Sequence, residues 1–164
     1  MAVTVDFERW YAAEHPRLFA ALLVLTGSRD LAADATDEAL ARALQHWNRV
    51  SAMDSPEGWT YRVAVNVIRR TARRRALEQR VLRRIAARHI PIAPAPAGET
   101  WVLVRSLPER QRTAVVLRYI ADLTEPDIAM AMGITRGTVA STLADARRAL
   151  ATALQEPNVV EESS

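Results

Sequence analysis

Residues 123–150 read LTEPDIAMAMGITRGTVASTLADARRAL, and this stretch predicts two short helices joined by a tight turn. Thr124 can cap the first helix by accepting a hydrogen bond from a backbone N–H, and Pro126 suits its first turn. Gly133 can adopt the left-handed conformation that ends a helix, after which Thr135 can cap the second helix. Two helices joined in this way form a helix-turn-helix, a motif that usually places its second helix in the major groove of DNA.

The second helix of this motif has an apolar and a polar side. Val139, Leu143, Ala146 and Leu150 recur at helical spacing and are expected to face the core. The polar residues on or beside the remaining surface are the candidates for contact with DNA: Thr135, Arg136, Thr138, Ser141, Arg147 and Arg148.

Charge is distributed unevenly along the chain. The 22 basic residues are all arginine and outnumber the 19 acidic residues, which gives a net charge of +3. Residues 61–90 contain ten arginines against Glu78, a net charge of +9, whereas residues 1–60 have a net charge of −4. A focused positive segment is typical of a surface that binds a polyanion, although a solvated helix face is the alternative interpretation.

Several function classes are disfavoured by what the sequence contains. There is no cysteine, which excludes disulfides and thiolate metal sites. His15, His46 and His89 show no metal-binding spacing, and there is no Gly-rich phosphate loop or nucleophile motif, so an enzyme is the least favoured class and no cofactor or metal is expected. The sequence has neither an apolar run long enough to span a bilayer nor a signal peptide, which favours a cytoplasmic protein without membrane insertion.

The chain is predicted to be all-α, because no segment alternates convincingly at period two. Two small helical domains, each with a modest core, are expected at residues 1–88 and 100–155. The Pro/Ala-rich segment 89–99, which contains HIPIAPAPAG, is expected to link them, and residues 156–164 are expected to form a disordered acidic tail.

Three residues of the first domain carry local expectations. Pro16 is expected to kink or split the first helix, which otherwise runs from about residue 5 to residue 25. Trp47 and Trp59 share helical stripes with apolar residues, so packing in the core is the favoured interpretation of both.

The two halves together resemble a known family. LPERQRTAVVLRYIADLTEPDIAMAMGITRGTVAS (107–141) is similar to region four of the bacterial extracytoplasmic-function (ECF) sigma factors, which belong to the sigma-70 superfamily of RNA polymerase initiation subunits. DLAADATDEALARALQHW (30–47), followed by SPEGWTYRVAVNVIRR (55–70), is similar to their region two. The resemblance covers about residues 5–87 and 100–152, so that only the linker and the tail lie outside it.

The resemblance implies a non-catalytic initiation factor that binds core RNA polymerase, directs it to promoters and helps to melt the minus-ten region. It implies contacts with the β′ clamp helices and the β flap, and it allows an anti-sigma factor as a further partner. The implied clamp-binding residues are Asp34, Asp37, Glu38 and Arg42. The implied minus-ten contacts are the loop 50–55 and Trp59, Arg62, Asn66, Arg69, Arg70 and Arg73, since arginines, polar groups and planar side chains suit an unpaired strand. The helix-turn-helix candidates would contact the minus-thirty-five element.

Two alternatives remain open at this point. A stand-alone helix-turn-helix regulator is one, although the acidic-then-basic layout of residues 30–90 counts against it. A sigma-like adaptor that binds DNA weakly is the other. It is kept because the expected recognition helix carries Gly137, Ala140 and Ala144, which present little to a base edge, and because the family commonly has a basic residue at the position of Ala140.

Overall fold

The computed structural model describes the backbone of residues 2–83 and 99–155 and the side chains of residues 6–78 and 102–155. These two ranges contain eight helices and no strand, which confirms the predicted all-α class with two helical domains. The helices are α1 (Ala2–Thr26), α2 (Arg29–Gln45), α3 (Trp47–Val50), α4 (Pro56–Arg83), α5 (Glu99–Ser106), α6 (Glu109–Tyr119), α7 (Glu125–Met132) and α8 (Arg136–Gln155).

Local chemistry sets the helix boundaries in the first domain. Gly27 adopts a left-handed conformation at the end of α1, with φ of 63°. The Ser28 side chain then accepts a hydrogen bond from the backbone N–H of Leu31, which caps α2. In the same way, Ser55 Oγ accepts from the backbone N–H of Gly58 at 2.9 Å and caps α4.

Pro16 does not split the first helix, so the predicted alternative of two separate helices is wrong. Pro16 lies inside α1, which is a single helix of 25 residues. Proline removes one backbone donor, but the turns that follow it carry Leu18 and Leu22, both fully buried. Burial of this apolar side holds the two halves of α1 in one helix.

The helix-turn-helix forms as predicted from residues 123–150. Thr124 and Asp127 make a reciprocal capping box at the start of α7. Gly133 ends α7 in the left-handed conformation, with φ of 66°. Thr135 Oγ1 accepts a hydrogen bond from the backbone N–H of Thr138 at 3.2 Å, which caps α8.

The two domains share one hydrophobic core, whereas the sequence predicted two separate cores. Leu18 and Tyr61 of the first domain belong to the same continuous cluster as Leu117, Ile128 and Leu143 of the second. Helix α7 packs directly against α4, and α1 contacts α6. Amphipathic spacing identifies the buried side of each helix but not the helix that covers it, which is why the sequence could not predict this closed packing.

The predicted domain boundaries stay predictions. Most of the linker 89–99 and all of the tail 156–164 lie outside the described residues, while Glu99 is already the first residue of α5. None of the helices within the described residues has both the length and the apolar character needed to cross a membrane.

Candidate nucleic-acid and partner interfaces

Helix α2 has an acidic outer face and a small-residue inner face. Asp34 and Asp37 are exposed, and Glu38 and Arg42 form an ion pair with 2.6 Å between Oε1 and Nη2. The inner face is built largely of buried alanines, which allow close approach to α1 and α4: Ala32, Ala35, Ala39 and Ala43. The four predicted polymerase-binding residues therefore lie together on one accessible side of a firmly packed helix.

The predicted minus-ten residues form one stripe along α4. At 100° per residue, Trp59, Arg62, Asn66, Arg69, Arg70 and Arg73 fall within a sector about 100° wide. Arg62, Asn66, Arg70 and Arg73 are exposed, while Trp59 and Arg69 are half-buried. The opposite side of α4 carries Thr60, Tyr61 and Ala64, all fully buried. The structure thus brings all six predicted residues onto one face of the helix.

The two half-buried members of the stripe are engaged elsewhere in the fold. Trp59 packs against an aromatic cluster in which the rings of Phe7 and Trp47 meet edge-to-face, 5.1 Å apart. Trp47 is a core residue, as predicted, whereas Trp59 is only partly covered. Arg69 extends toward the second domain, with Nε 3.6 Å from Oε1 of Glu109 in α6.

The loop that precedes α4 is short and internally bonded. The backbone N–H of Met53 donates to the carbonyl oxygen of Val50 at 3.1 Å, and Ser55 is buried where it caps α4. The loop leads directly into the stripe, so the predicted loop 50–55 and the arginines of α4 adjoin one another.

Helix α8 presents its predicted residues in two groups. Thr135, Arg136, Thr138 and Ser141 lie at its start, where a recognition helix usually contacts base edges. Arg147 and Arg148 lie about three turns further along. There Arg147 Nε donates to the hydroxyl of Tyr119 at 2.9 Å and Arg148 pairs with Asp145. The structure therefore places the first group together and the two arginines apart from it.

An apolar groove lies on the second domain between α5, α6 and α8. Its volume is about 420 Å³, and it is lined by Val104, Val115, Val116, Tyr119, Ile120, Arg147, Leu150, Ala151 and Leu154. Leu154 is 69% exposed and Tyr119 is 58% exposed, so the rim of the groove is apolar surface open to solvent. The resemblance implied a β-flap contact without residues for it; among the lining residues, Arg147 was predicted to contact DNA and Leu150 to face the core.

The contact between α4 and α7 centres on Gly58, which the sequence analysis missed. A Cβ atom added to Gly58 would lie 2.8 Å from the backbone oxygen of Asp127 and 3.1 Å from Cβ of Met130. Glycine is needed there because the backbone of α7 rests on this position. The sequence did offer one indication. Glycine is unfavourable inside a helix, so a glycine in the first turn after a Ser-Pro start indicates a position where a side chain would not fit.

Glu14 lies buried beside this contact and was also missed. Its side chain is 4% exposed, and Oε1 has no hydrogen-bond partner among the described residues. Burial is the main cause that raises the pKa of Glu14 from 4.5 to about 7; the negative charges of Glu57 and Asp127 add to it, while Arg17 opposes it. In the sequence, Glu14 interrupts the apolar stripe between Tyr11 and Leu18, which was the detectable sign of an unusual carboxyl.

The groups around Glu14 come from both domains. Trp10 Nε1 donates to Oε1 of Glu57 at 2.9 Å, and burial raises the pKa of Tyr61. Burial also acts to raise the pKa of Asp127, but hydrogen bonds from Ser55 and Thr124 outweigh it and hold that pKa below its ordinary value. A buried carboxyl whose pKa is raised to about 7 therefore lies close to two other carboxyl groups, those of Glu57 on α4 and Asp127 on α7.

Comparison with known proteins identifies the family. Residues 10–78 match the family described as Sigma-70 region 2, and residues 98–150 match the family described as Sigma-70, region 4. The RNA polymerase sigma-E factor of Streptomyces coelicolor is 26% identical to this chain over an alignment of 164 positions. The alignment covers 95% of this chain and 88% of that protein. The chain therefore belongs to the sigma-70 family of RNA polymerase sigma factors. The two matched regions together with the sigma-E relative identify it as an ECF sigma factor, as predicted from the sequence.

Solved structures agree with this fold over both domains. The sigma factor RpoE of Bartonella quintana, solved in complex with the anti-sigma factor NepR, superposes with a TM-score of 0.74 at 22% identity and covers 93% of this chain and 98% of that one. CnrH in complex with the cytosolic domain of CnrY gives a TM-score of 0.64 at 19% identity, over 92% of this chain and 88% of that one. A sigma factor directs RNA polymerase to promoters, so the stand-alone regulator hypothesis is not supported.

Proposed function

We propose that this chain binds core RNA polymerase through α2, holds the minus-ten strand on α4 and contacts the minus-thirty-five element with α8. Polymerase carries out all the chemistry, in the cytoplasm, and the chain needs no cofactor. The observation that carries this proposal is the division of the first domain into an acidic face on α2 and a basic stripe on α4. One face suits a protein partner, and the other suits an unpaired DNA strand.

The acidic face of α2 fits a partner that must later be released. Asp34, Asp37, Glu38 and Arg42 are exposed or half-exposed, so the contact would be polar and of mixed charge. Contacts of this kind speed association and set specificity more than they add affinity. The β′ clamp helices of core polymerase are the proposed partner of this face.

The stripe on α4 fits a single strand of DNA. From Trp59 to Arg73 it extends about 21 Å at 1.5 Å per residue, which is long enough to follow several phosphates. Its arginines supply positive charge, Asn66 supplies hydrogen-bonding groups, and Trp59 supplies a planar surface for a base. The loop 50–55 adjoins the stripe and is the proposed site for an extruded base.

The second domain supplies a weaker DNA contact and a further protein contact. Gly137, Ala140 and Ala144 are exposed on α8 and add almost no side chain to its outer face, so its contact with DNA rests on Arg136, Ser141 and their neighbours. This small surface is the observation that favours the second candidate, an adaptor that binds polymerase and hardly binds DNA.

The apolar groove of the second domain is the proposed site for the β flap. Its exposed rim is of the kind that marks protein interaction sites, and apolar side chains of a polymerase segment would cover it. An anti-sigma factor is proposed as a further partner, since the Bartonella quintana sigma factor that shares this fold was solved with one.

Binding to core polymerase is tested by gel filtration at moderate salt. We expect the unaltered chain to co-elute with core polymerase and an Asp34→Asn/Asp37→Asn/Glu38→Gln variant to bind about tenfold more weakly, at about 0.5 kcal/mol for each exposed charge. The matched control is Asp6→Asn/Glu8→Gln/Glu78→Gln, which removes three exposed charges that lie on α1 and α4 rather than on α2, and it should bind as the unaltered chain does. Separate elution of the folded, unaltered chain would contradict the proposed function, and equal binding by both variants would contradict the assignment of the face.

A further inference from the structure

The packing of α7 on α4 holds the two DNA-binding domains together. The backbone oxygen of Asp127 lies over Gly58, and the Asp127 carboxylate lies near Ser55 at the start of α4. Arg69, one of the predicted strand-binding arginines, is paired with Glu109 of the second domain. The closed arrangement therefore engages one residue of the basic stripe, Arg69, in a contact between the domains.

This closed arrangement does not fit a promoter with two separated elements. Elements centred about 25 base pairs apart lie about 85 Å apart along B-form DNA at 3.4 Å per base pair. In the structure, α4 contacts the first helix of the helix-turn-helix directly. The domains must therefore separate before both elements can be bound at once.

Glu14 lies where this separation would begin. Its buried carboxyl lies within electrostatic reach of Arg17 on its own helix, of Glu57 and Tyr61 on α4, and of Asp127 on α7. An ionised carboxylate at this position would be close to two other negative charges and would have one oxygen without a hydrogen-bond partner among the described residues. Departure of α7 would remove the charge of Asp127 and admit water to the carboxyl.

We propose that the contact between α7 and α4 is a latch between the domains and that Glu14 couples it to a proton, so that the neutral carboxyl favours the closed form and the ionised carboxylate favours the open form. The latch itself stands on the structure alone. Only its consequence for promoter binding rests on the proposed function.

The direction of the pH dependence follows from proton linkage. Glu14 has a pKa of about 7 in the closed form, and in the open form water should return this pKa toward 4.5. The closed form is then favoured most below pH 4.5 and loses that advantage as the pH rises through 7. Between pH 6 and pH 8 the ratio of closed to open molecules should fall about tenfold.

A single introduced thiol can report the opening of the latch, because the sequence contains no cysteine. Ala131→Cys places the thiol on α7 at a position that is 3% exposed in the shared core, and Ala149→Cys places one at an exposed position of α8. Each chain is reacted with a small disulfide reagent, and the rate at the buried thiol is divided by the rate at the exposed thiol. This ratio cancels the rise in thiolate with pH, which both thiols share. We expect this ratio to rise about tenfold from pH 6 to pH 8.

Variants of Glu14 decide whether this carboxyl is responsible. Glu14→Gln in both cysteine chains should abolish the rise, whereas Glu8→Gln, at an exposed position of the same helix, should preserve it. Glu14→Met is a second neutral variant for the same comparison if the glutamine chain does not fold. An unchanged rise in the neutral variants, or a constant ratio in the chains that keep Glu14, would overturn the proposal. Polymerase takes no part in this assay, so its outcome is independent of the proposed function.

Discussion

Replacing Arg69, Arg70 and Arg73 together by alanine is expected to slow promoter opening about 100-fold, at about 1 kcal/mol for each lost phosphate contact. These arginines lie in the stripe on α4, on a different helix from the acidic face, so binding to core polymerase should be unchanged. The DNA-binding constant falls as salt rises, and each lost phosphate contact with a single strand makes the slope of its logarithm against log salt concentration less steep by about 0.7. The slope for the variant should therefore be less steep by about 2. Opening can be measured by permanganate reactivity of the melted region at several salt concentrations.

The matched control for this variant removes three other exposed arginines: Arg9, Arg105 and Arg110. These lie on α1, α5 and α6 rather than on α4, and their replacement by alanine should leave promoter opening unchanged. Loss of Arg69 also breaks its pair with Glu109, which favours separation of the domains. This effect would speed promoter opening and so works against the expected decrease. Normal opening by the stripe variant would show that the minus-ten strand is bound elsewhere.

Gly58→Leu is expected to force the two domains apart while leaving the helices intact. The Cβ atom alone would lie 2.8 Å from the backbone oxygen of Asp127, and rotation of a side chain cannot relieve a clash at Cβ. Replacing glycine by leucine stabilises α4 itself by up to about 1 kcal/mol, because glycine is unfavourable inside a helix. If the Ser55 side chain must rotate to make room, loss of its cap costs a similar free energy and cancels this gain. Small-angle scattering should show the radius of gyration rising from about 15 Å, the value for a compact chain of this length, to about 20 Å.

Gly137→Leu is the matched control for this change. Gly137 lies in the first turn of α8, as Gly58 does in α4, but an added Cβ would meet only Thr135 Oγ1, at 4.0 Å. This variant should keep the compact radius of gyration, and circular dichroism should show equal helicity in both. A compact Gly58→Leu chain would contradict the assigned packing of α7 on α4.

Local features of the fold could be predicted because their causes lie close together in the sequence. The caps at Ser28, Thr124 and Thr135 each need only one side chain and a backbone N–H within three residues. The stripe on α4 needs only helical spacing and the arginine-rich composition of residues 61–90. The position of the helix-turn-helix and the grouping of the candidate strand-binding residues could therefore be predicted from the sequence alone.

The closed packing could not be predicted because its causes lie in different helices. Gly58 and Glu14 each stand out locally in the sequence, but their roles depend on α7, which lies more than 60 residues further along the chain. Trp59 shows the same limit, since helical spacing assigns it to the core and the structure leaves it half-buried beside Phe7 and Trp47. Spacing gives the direction of a side chain, whereas the depth of its burial depends on which element covers it.

The role as an initiation factor is tested most directly by transcription in vitro. Core polymerase would initiate on genomic DNA from the bacterium that encodes this chain. Transcript 5′ ends would be mapped with core polymerase alone and with core polymerase plus the chain. The proposed function predicts new start sites only when the chain is present, preceded by a shared pair of sequence elements at constant spacing. A chain that co-elutes with core polymerase but produces no new start sites would contradict it and would support the adaptor instead.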